Sequence, residues 1–545
     1  MNNNASIARR LLAAAVMTVF LMVSVMAGTE SVSAATKLKV TPTKKTIYVG
    51  KTVTLKSNIN ASWSVASGKS AVKLISKKKR SVKVKGLKAG TAVIKVKAGK
   101  QIKKVRITVK KKAAPIPANA PKELAVSINR DIVGVGENCT VRVDSVVPET
   151  ADKKVTFSSS DTSVATVSSK GLVTGVEPGT ATITVKSALN SKVTAKVDVI
   201  VVKVKEGQVT AKIDLTDTER YPEGKVAKVW LPLPETSDVQ KITSVRYSAP
   251  AAKTERTYDS AGGSTLYIEW GEDVAPVDRV ATLTFQVKRR EVPFRENLAE
   301  LESGTVDTAE FADYLKETAR SGSFTEGIVK ETADKIVADA GAVTVYDKAR
   351  AIYDWSVENL FRDPASEHFL DGDVVAILST DYVGAGCTDV NAVYVALCRA
   401  VGVPAREIMG LRLAPCGQKC KAQFYLPGYG WVDCDPSQPL KIILGNEESY
   451  RGPDAQYAQD WKLIKEAFWG TNDDNWIMFN DGSDVTLDPP QSATETNEIL
   501  NEDGTINFFL LPYGEFDGKY ITCYKKAEFK YDFSFEEADP NDCGC

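Results

Sequence analysis

The chain has 545 residues, more than one hydrophobic core can serve, so about three or four domains are expected. Hydrophobic residues at 43% and charged residues at 26% are ordinary for folded, soluble protein and exclude a disordered or fibrous chain. A net charge of +1 conceals an asymmetry: residues 36–112 hold 24 Lys plus Arg and no Asp or Glu, while residues 113–545 hold 44 basic and 68 acidic residues.

Residues 1–35 read as a secretory signal peptide. Arg9-Arg10 precede an apolar run from Leu11 to Ala27, and Val32-Ser33-Ala34 has the small-residue pattern of a cleavage site. A retained N-terminal anchor is the alternative. No later apolar run reaches the roughly 18 residues a membrane span needs, so no span is expected in the mature protein. The chain is expected to be exported and associated with the cell wall or surface.

From 36 to 112 short strands follow one another across turns such as Val49-Gly50 and Ala89-Gly90, with period-two alternation in Ile94-Lys95-Val96-Lys97. An extracellular module this basic is expected to hold anionic wall polymers, such as teichoic acids or anionic glycans, through many salt-sensitive contacts. Nucleic acid is not expected as a partner, given export, and a merely solubilising face is the bland alternative. A proline-rich linker, 113–122, separates this module from 123–204, where the layout repeats: Gly171-Leu172 answers Gly86-Leu87, and Gly179-Thr180 answers Gly90-Thr91. Two β-sandwiches result. The second, closely over 157–185, resembles the bacterial immunoglobulin-like group 2 domain, and the first resembles it more loosely. That likeness implies a spacer or adhesion unit. Cys139 falls in a strand and reads as a buried thiol.

Residues 207–290 remain strand-like, as in Val226-Ala227-Lys228-Val229-Trp230-Leu231-Pro232-Leu233-Pro234, and form a further β-domain. After 291 the period becomes helical, with Ile328, Val329, Ile336 and Val337, then Ala349, Ile352, Tyr353 and Leu360. A third helix runs from Cys387 to about Val401 and stops at Gly402 and Pro404. Strands return at 405–413, 420–426 and 431–435. Helices followed by strands make 291–545 an α+β domain with a C-terminal extension. Trp461, Phe468, Trp469 and Trp476 read as packing rather than as a sugar platform.

The chemistry centres on Gly384-Ala385-Gly386-Cys387-Thr388-Asp389. It places a thiol at the first turn of a helix, where unpaired N–H groups and the helix dipole favour a thiolate. A nucleophile is the sharper reading and a structural cysteine the blander one; Cys398 reads as core. Gly386-Cys387-Thr388-Asp389, Arg399 through Arg406, Phe424 through Trp431 and Asp435-Pro436 together resemble the transglutaminase-like superfamily of papain-type thiol enzymes. The likeness covers roughly 290–490, or 207–490 with the preceding β-domain. It implies that Cys387 is the nucleophile and Asp435 the orienting carboxylate. The family's histidine falls on Lys419, in Lys419-Cys420-Lys421-Ala422-Gln423-Phe424-Tyr425-Leu426.

That departure bears on the reaction itself. The histidine of a thiol acyl-transfer enzyme takes the thiol proton and returns it to the leaving amine, a shuttle suited to a pKa of about 6.5. Lysine begins near about 10.4, and a facing Asp435 would keep it charged. The single histidine of the chain, His368, stands in the loop Ala365-Ser366-Glu367-His368-Phe369, ahead of Cys387. The leading expectation is therefore a pseudoenzyme that binds a peptide, protein or wall polymer in the cleft. The alternative is an active cysteine acyl-transferase or peptidase using Cys387 with Lys419 or His368. No cofactor or metal is expected.

The pairing of Cys416, Cys420, Cys434, Cys523, Cys543 and Cys545 stays open. With 419 opposite 435, residues 420 and 434 would face each other as a cross-strand disulfide or as packed thiols. Cys416 and Cys420 with Cys543 and Cys545 form a weaker alternative, a thiolate zinc site.

Overall fold

The structure, a computed structural model, describes residues 36–112, 115–365, 372–380, 382–384, 386–452, 454–493, 499–524 and 527–538. The leader, His368, Cys543 and Cys545 lie outside them. Strand is the dominant secondary structure. No described helix is long and apolar enough to cross a membrane.

The described residues from 36 to Ile116 form one unit. Within it two four-stranded sheets face each other around Leu55, Trp63, Val84, Ile94, Val96 and Ile107, every one of them buried. Each strand sends alternate residues inward, and the lysines occupy the outward positions, as in Gly90–Ala98.

The second unit begins at Pro117 and opens with a sandwich of the same construction around Cys139, Val141, Val173, Ile183, Val185 and Val199. Both modules pair an early strand in parallel with their last strand, Lys44–Tyr48 with Gln101–Lys110 and Ile132–Gly134 with Thr194–Val202. The sheet orders correspond strand for strand, so the repeat legible in the glycines is a repeat of topology.

A third sandwich follows. One sheet holds Gln240–Ser248, Val280–Arg290, Val204–Asp214 and Lys530–Glu537. The other holds Lys253–Tyr258, Ser264–Trp270, Ala227–Pro232, Tyr513–Phe516 and Lys519–Ile521. Strands from beyond residue 512 therefore complete both sheets of the segment that begins near 207.

The helical region packs α1 (Gly327–Ala340), α2 (Val345–Asn359), α3 (Val374–Ser379) and α4 (Cys387–Ala400) against an antiparallel sheet. The sheet comprises β1 (Ala405–Arg412), β2 (Lys421–Leu426), β3 (Gly430–Cys434), β4 (Trp476–Asn480) and the short strand Gly417–Gln418 paired with the end of β1, with α5 (Ser437–Ile443) after β3. From Thr388 to Ala400 every side chain of α4 but that of Ala392 is buried, so α4 is the central helix and its first turn is held by packing on all sides. Salt bridges of Arg290, at the end of the third sandwich's strand Val280–Arg290, with Glu137 at 3.1 Å and of Arg295, just beyond it, with Asp131 at 2.9 Å tie the start of the thiol region and that sandwich to the second immunoglobulin-like module. Trp461, Trp469 and Trp476 are buried packing residues, and Phe468 is half-buried.

The hairpin register corrects one expectation. Ala422 pairs with Cys434 and Leu426 with Gly430, so 419 does not stand opposite 435, nor 420 opposite 434. The cause is the turn, three residues long (Pro427, Gly428, Tyr429), with Gly428 at φ +84°. A Cβ at Gly428 would meet Ser303 Oγ at 1.9 Å, so both conformation and space demand glycine. A slip of two residues preserves the faces, and Cys420 and Cys434 both remain turned into the core. They are free thiols, and the disulfide alternative does not form.

Candidate functional site

α4 starts at Cys387 because Gly386 is extended (φ −108°, ψ −178°) and the Asp389 carboxylate accepts the Gly386 N–H at 2.5 Å. The same carboxylate accepts the Gly372 N–H at 3.0 Å. Cys387 is half-buried and sits where main-chain N–H groups lack intrahelical partners.

Lys419 lies between the short strand Gly417–Gln418 and β2, and its main chain is fixed on both sides. Its N–H donates to the Gly410 carbonyl at 3.0 Å, and its carbonyl accepts from Trp476 Nε1 at 2.7 Å. Its ammonium reaches Asp435 Oδ2 at 2.9 Å and donates to Ser437 Oγ at 2.8 Å, while Ser437 Oγ donates to Asp435 Oδ1 at 2.6 Å. The lysine side chain is 11% exposed and that of Asp435 4%. The pair forms despite the shifted register because a lysine side chain is long enough to span two residues of strand.

Cys387 and Lys419 share a cavity of about 130 Å³, lined also by Arg362, Gly386, Gln418, Lys441, Leu510, Leu511 and Tyr524. The structure thus gathers the three residues singled out from sequence, with Lys419 touching Asp435 directly and Cys387 across the cavity wall.

Cys420 is the neighbour that sequence reasoning placed wrongly. It is fully buried beneath Cys387, and Asn391, one helical turn after Cys387, donates through Nδ2 to the Cys420 carbonyl at 3.2 Å and to its sulfur at 3.4 Å. Hydrogen bonding by the Cys420 thiol lowers the Cys387 thiol to about 6, against the opposing effect of burial and with the Lys419 charge helping. The thiolate of Cys387 is thereby favoured over the thiol. The Cys420 thiol is pushed well up, first by burial and then by that neighbouring sulfur.

Glu407 on β1 was also missed. It is 9% exposed, and burial, followed by the charges of Cys387 and Asp389, raises its pKa well above the usual carboxylate range. Its signal in sequence, a lone acid within an apolar strand, is faint. Away from the cleft, Cys398 is core, with burial pushing its thiol up to about 12, and Cys139 is buried as expected. Cys416 donates to the Leu413 carbonyl at 2.8 Å, and among the described residues no cluster of three metal-binding side chains forms.

Chemically the arrangement supplies a thiolate, an adjacent fixed ammonium and a carboxylate that holds the ammonium. At position 419 it supplies an amine and no imidazole.

Residues 330–436 match the family model of the transglutaminase-like superfamily, and residues 122–197 match that of the bacterial Ig-like domain, group 2. An uncharacterized protein of Haemophilus influenzae is 31% identical over 334 residues, covering 56% of this chain and 85% of that protein. Among solved structures, a cysteine-protease candidate from Cytophaga hutchinsonii is 13% identical, covering 62% of this chain and 91% of its own, with a TM-score of 0.37. The periplasmic domain of TgpA from Pseudomonas aeruginosa is 15% identical, covering 43% and 94%, with a TM-score of 0.24.

Proposed function

The chain belongs to the transglutaminase-like superfamily, and from that premise we propose that it is an exported, surface-associated member whose cleft holds its partner rather than turning it over. The observation that carries this reading is the Lys419–Asp435 pair at 2.9 Å, where the family's histidine is expected. In acyl transfer the thiolate attacks a carbonyl, and the leaving amine must take up a proton. The Lys419 ammonium is engaged by Asp435 at 2.9 Å and Ser437 at 2.8 Å, a fixed donor in place of the imidazole that shuttles the proton in the family's reaction. The thiolate can engage an electrophilic carbon, but expulsion of the amine lacks its acid.

The proposed organisation is two immunoglobulin-like spacers at 36–112 and 123–204, a β-domain built from 207 to 290 and completed by strands beyond 512, and a papain-like α+β domain that begins at 291. The spacers and the leader-like segment at 1–35 support export. The lysine-rich module is the proposed wall anchor, with anionic wall polymers as its partners, and a peptide or wall polymer is the proposed occupant of the cleft.

One observation favours a second reading, an active cysteine acyl-transferase or peptidase. The Cys387 thiol is lowered to about 6, as a working nucleophile requires. The two readings part in a single experiment, in which purified protein is exposed to a thiol-reactive probe and separately to amine donors and peptide substrates. Labelling of Cys387 without turnover is expected. Turnover that Cys387→Ala abolishes overturns the binding reading. Activity that emerges only in Lys419→His identifies the missing imidazole as the single defect.

A further inference from the structure

Two sulfurs meet at the head of α4. Cys387 is half-buried and opens onto the cavity of about 130 Å³, whereas Cys420 lies wholly buried behind it, immediately before β2. Both the thiol and the main-chain N–H of Cys420 hydrogen-bond the Cys387 sulfur, so the two residues approach through backbone as well as side chain. Asn391, one turn along α4, holds that approach by donating to the carbonyl and to the sulfur of Cys420. The residues on either side of Cys420 are fixed as well. Lys419 is tied through its main chain to Gly410 and Trp476, and the Lys421 ammonium donates to Asn472 Oδ1 at 2.6 Å. An outward thiolate backed by a buried thiol is the arrangement in which an oxidised cysteine meets a resolving partner.

We propose that Cys387 and Cys420 are a modification site, joined by a peroxide-driven disulfide that closes the thiol site and reopens on reduction. The oxidant is a small peroxide, which the cavity admits, since a water molecule takes only about 30 Å³. The Cys387 thiolate attacks one peroxide oxygen, the O–O bond breaks, and hydroxide leaves behind a sulfenic acid. The Cys420 sulfur then attacks the Cys387 sulfur, the S–O bond breaks, and the departing hydroxide takes the Cys420 proton as water. The two sulfurs thereby give up the two electrons that the peroxide gains. The first step prepares the second. Burial holds the Cys420 proton most strongly, the hydrogen bond and charge of Cys387 and the charge of Glu407 add to it, and Lys419 opposes them. A neutral sulfenic acid removes the Cys387 charge from that set. The bond itself needs neither turnover nor a ligand; its effect as a switch rests on the capture reading of the same site.

Peptide mapping of the oxidised full chain provides the test. Reduced protein is exposed to hydrogen peroxide, blocked with iodoacetamide and mapped by mass spectrometry without reduction. A linked pair of peptides bearing Cys387 and Cys420 is expected. Dithiothreitol is expected to split the pair and to restore iodoacetamide labelling of Cys387. In Cys420→Ala, and in Cys420→Ser, which keeps a hydrogen-bonding group, that restoration is expected to be lost as Cys387 passes on to sulfinic acid. Dimedone is expected to trap the sulfenic acid in these variants. Absence of the linked pair in the unsubstituted chain overturns the proposal without recourse to any variant. Linkage of Cys387 to Cys523, Cys543 or Cys545, or to a second chain, overturns it too. So does full restoration in Cys420→Ser at an unchanged melting temperature. Turnover of an amine donor that peroxide abolishes and dithiothreitol restores, with the linked pair present, supports it and overturns only the capture reading.

Discussion

Two regions of this molecule collect positive charge, and they do so in opposite ways. In the module at 36–112 lysines line the outward positions of every long strand, set in water and with no acid in the segment to pair with. In the cleft Lys419 is 11% exposed, fastened to a carboxylate and a hydroxyl, and bounded by main-chain hydrogen bonds on both sides. Exposed cations each contribute little, act together, and fade as salt screens them. A buried cation is costly to desolvate and therefore tolerable only with its partner, which makes its removal severe. The first arrangement is suited to adhesion over a surface and the second to fixing one geometry.

The sharpest way to break this contrast is to remove the buried partner. Lys419→Ala strands Asp435 in the core and is expected to cost about 3–5 kcal/mol in denaturant unfolding. A loss under 1 kcal/mol, on the order of a surface substitution, would make Lys419 no different from the lysines of the first module. Next in size is retention on cell walls or an anionic polymer resin. Deleting 36–112 is expected to abolish most of it, and the intact chain is expected to release steeply as salt rises. Retention unchanged by the deletion would put the anchor elsewhere.

The Cys387 thiol offers an intermediate effect. Its pKa is lowered, so its anion is present above about pH 6 and lost as pH falls through that value. The iodoacetamide labelling rate is therefore expected to climb with a midpoint near 6, in place of the roughly 8.5 of a free cysteine. Cys420→Ala removes the largest stabilising neighbour of the thiolate and is expected to move the midpoint upward; an unmoved midpoint would assign the shift to the Lys419 and Arg362 charges and the Cys420 main-chain N–H. The smallest effect is expected for Lys→Gln changes at outward positions such as Lys95 and Lys97, which should leave the melting temperature unchanged while wall retention declines with each charge removed.

Much of the site was legible because its signals are local. Gly386 before Cys387 and Gly402 after Val401 bracket α4, and both ends fall where those residues place them. The closeness of Lys419 to Asp435 was legible from resemblance. The register between them was not, since it depends on where the turn is centred: moving its middle from Pro427 to Gly428 shifts every pair by two residues. The same slip hid Cys420. Thought of as the partner of Cys434, it proves to be the partner of Cys387, brought there by the packing of α4 on β2. Glu407 and Lys441 were hidden for a related reason: each approaches the thiol from another element, and no periodicity within a strand or a seven-residue helix records what lies across from it.

Distance along the chain also governs the sandwich between the modules and the thiol region. Its central strand Val204–Asp214 takes Lys530–Glu537 as a neighbour. During synthesis that neighbour emerges only after the entire helical region has been made. At about 5–20 residues per second the wait is on the order of ten seconds or more. For that interval the strand offers a bare hydrogen-bonding edge to whatever is nearby. A nascent copy stalled before Lys530 would carry finished spacers and an open sheet, a product prone to seize a second chain. The last ribbon zips after Tyr513–Phe516 has already joined the opposite sheet, so both faces of the sandwich are finished by the final stretch of the chain.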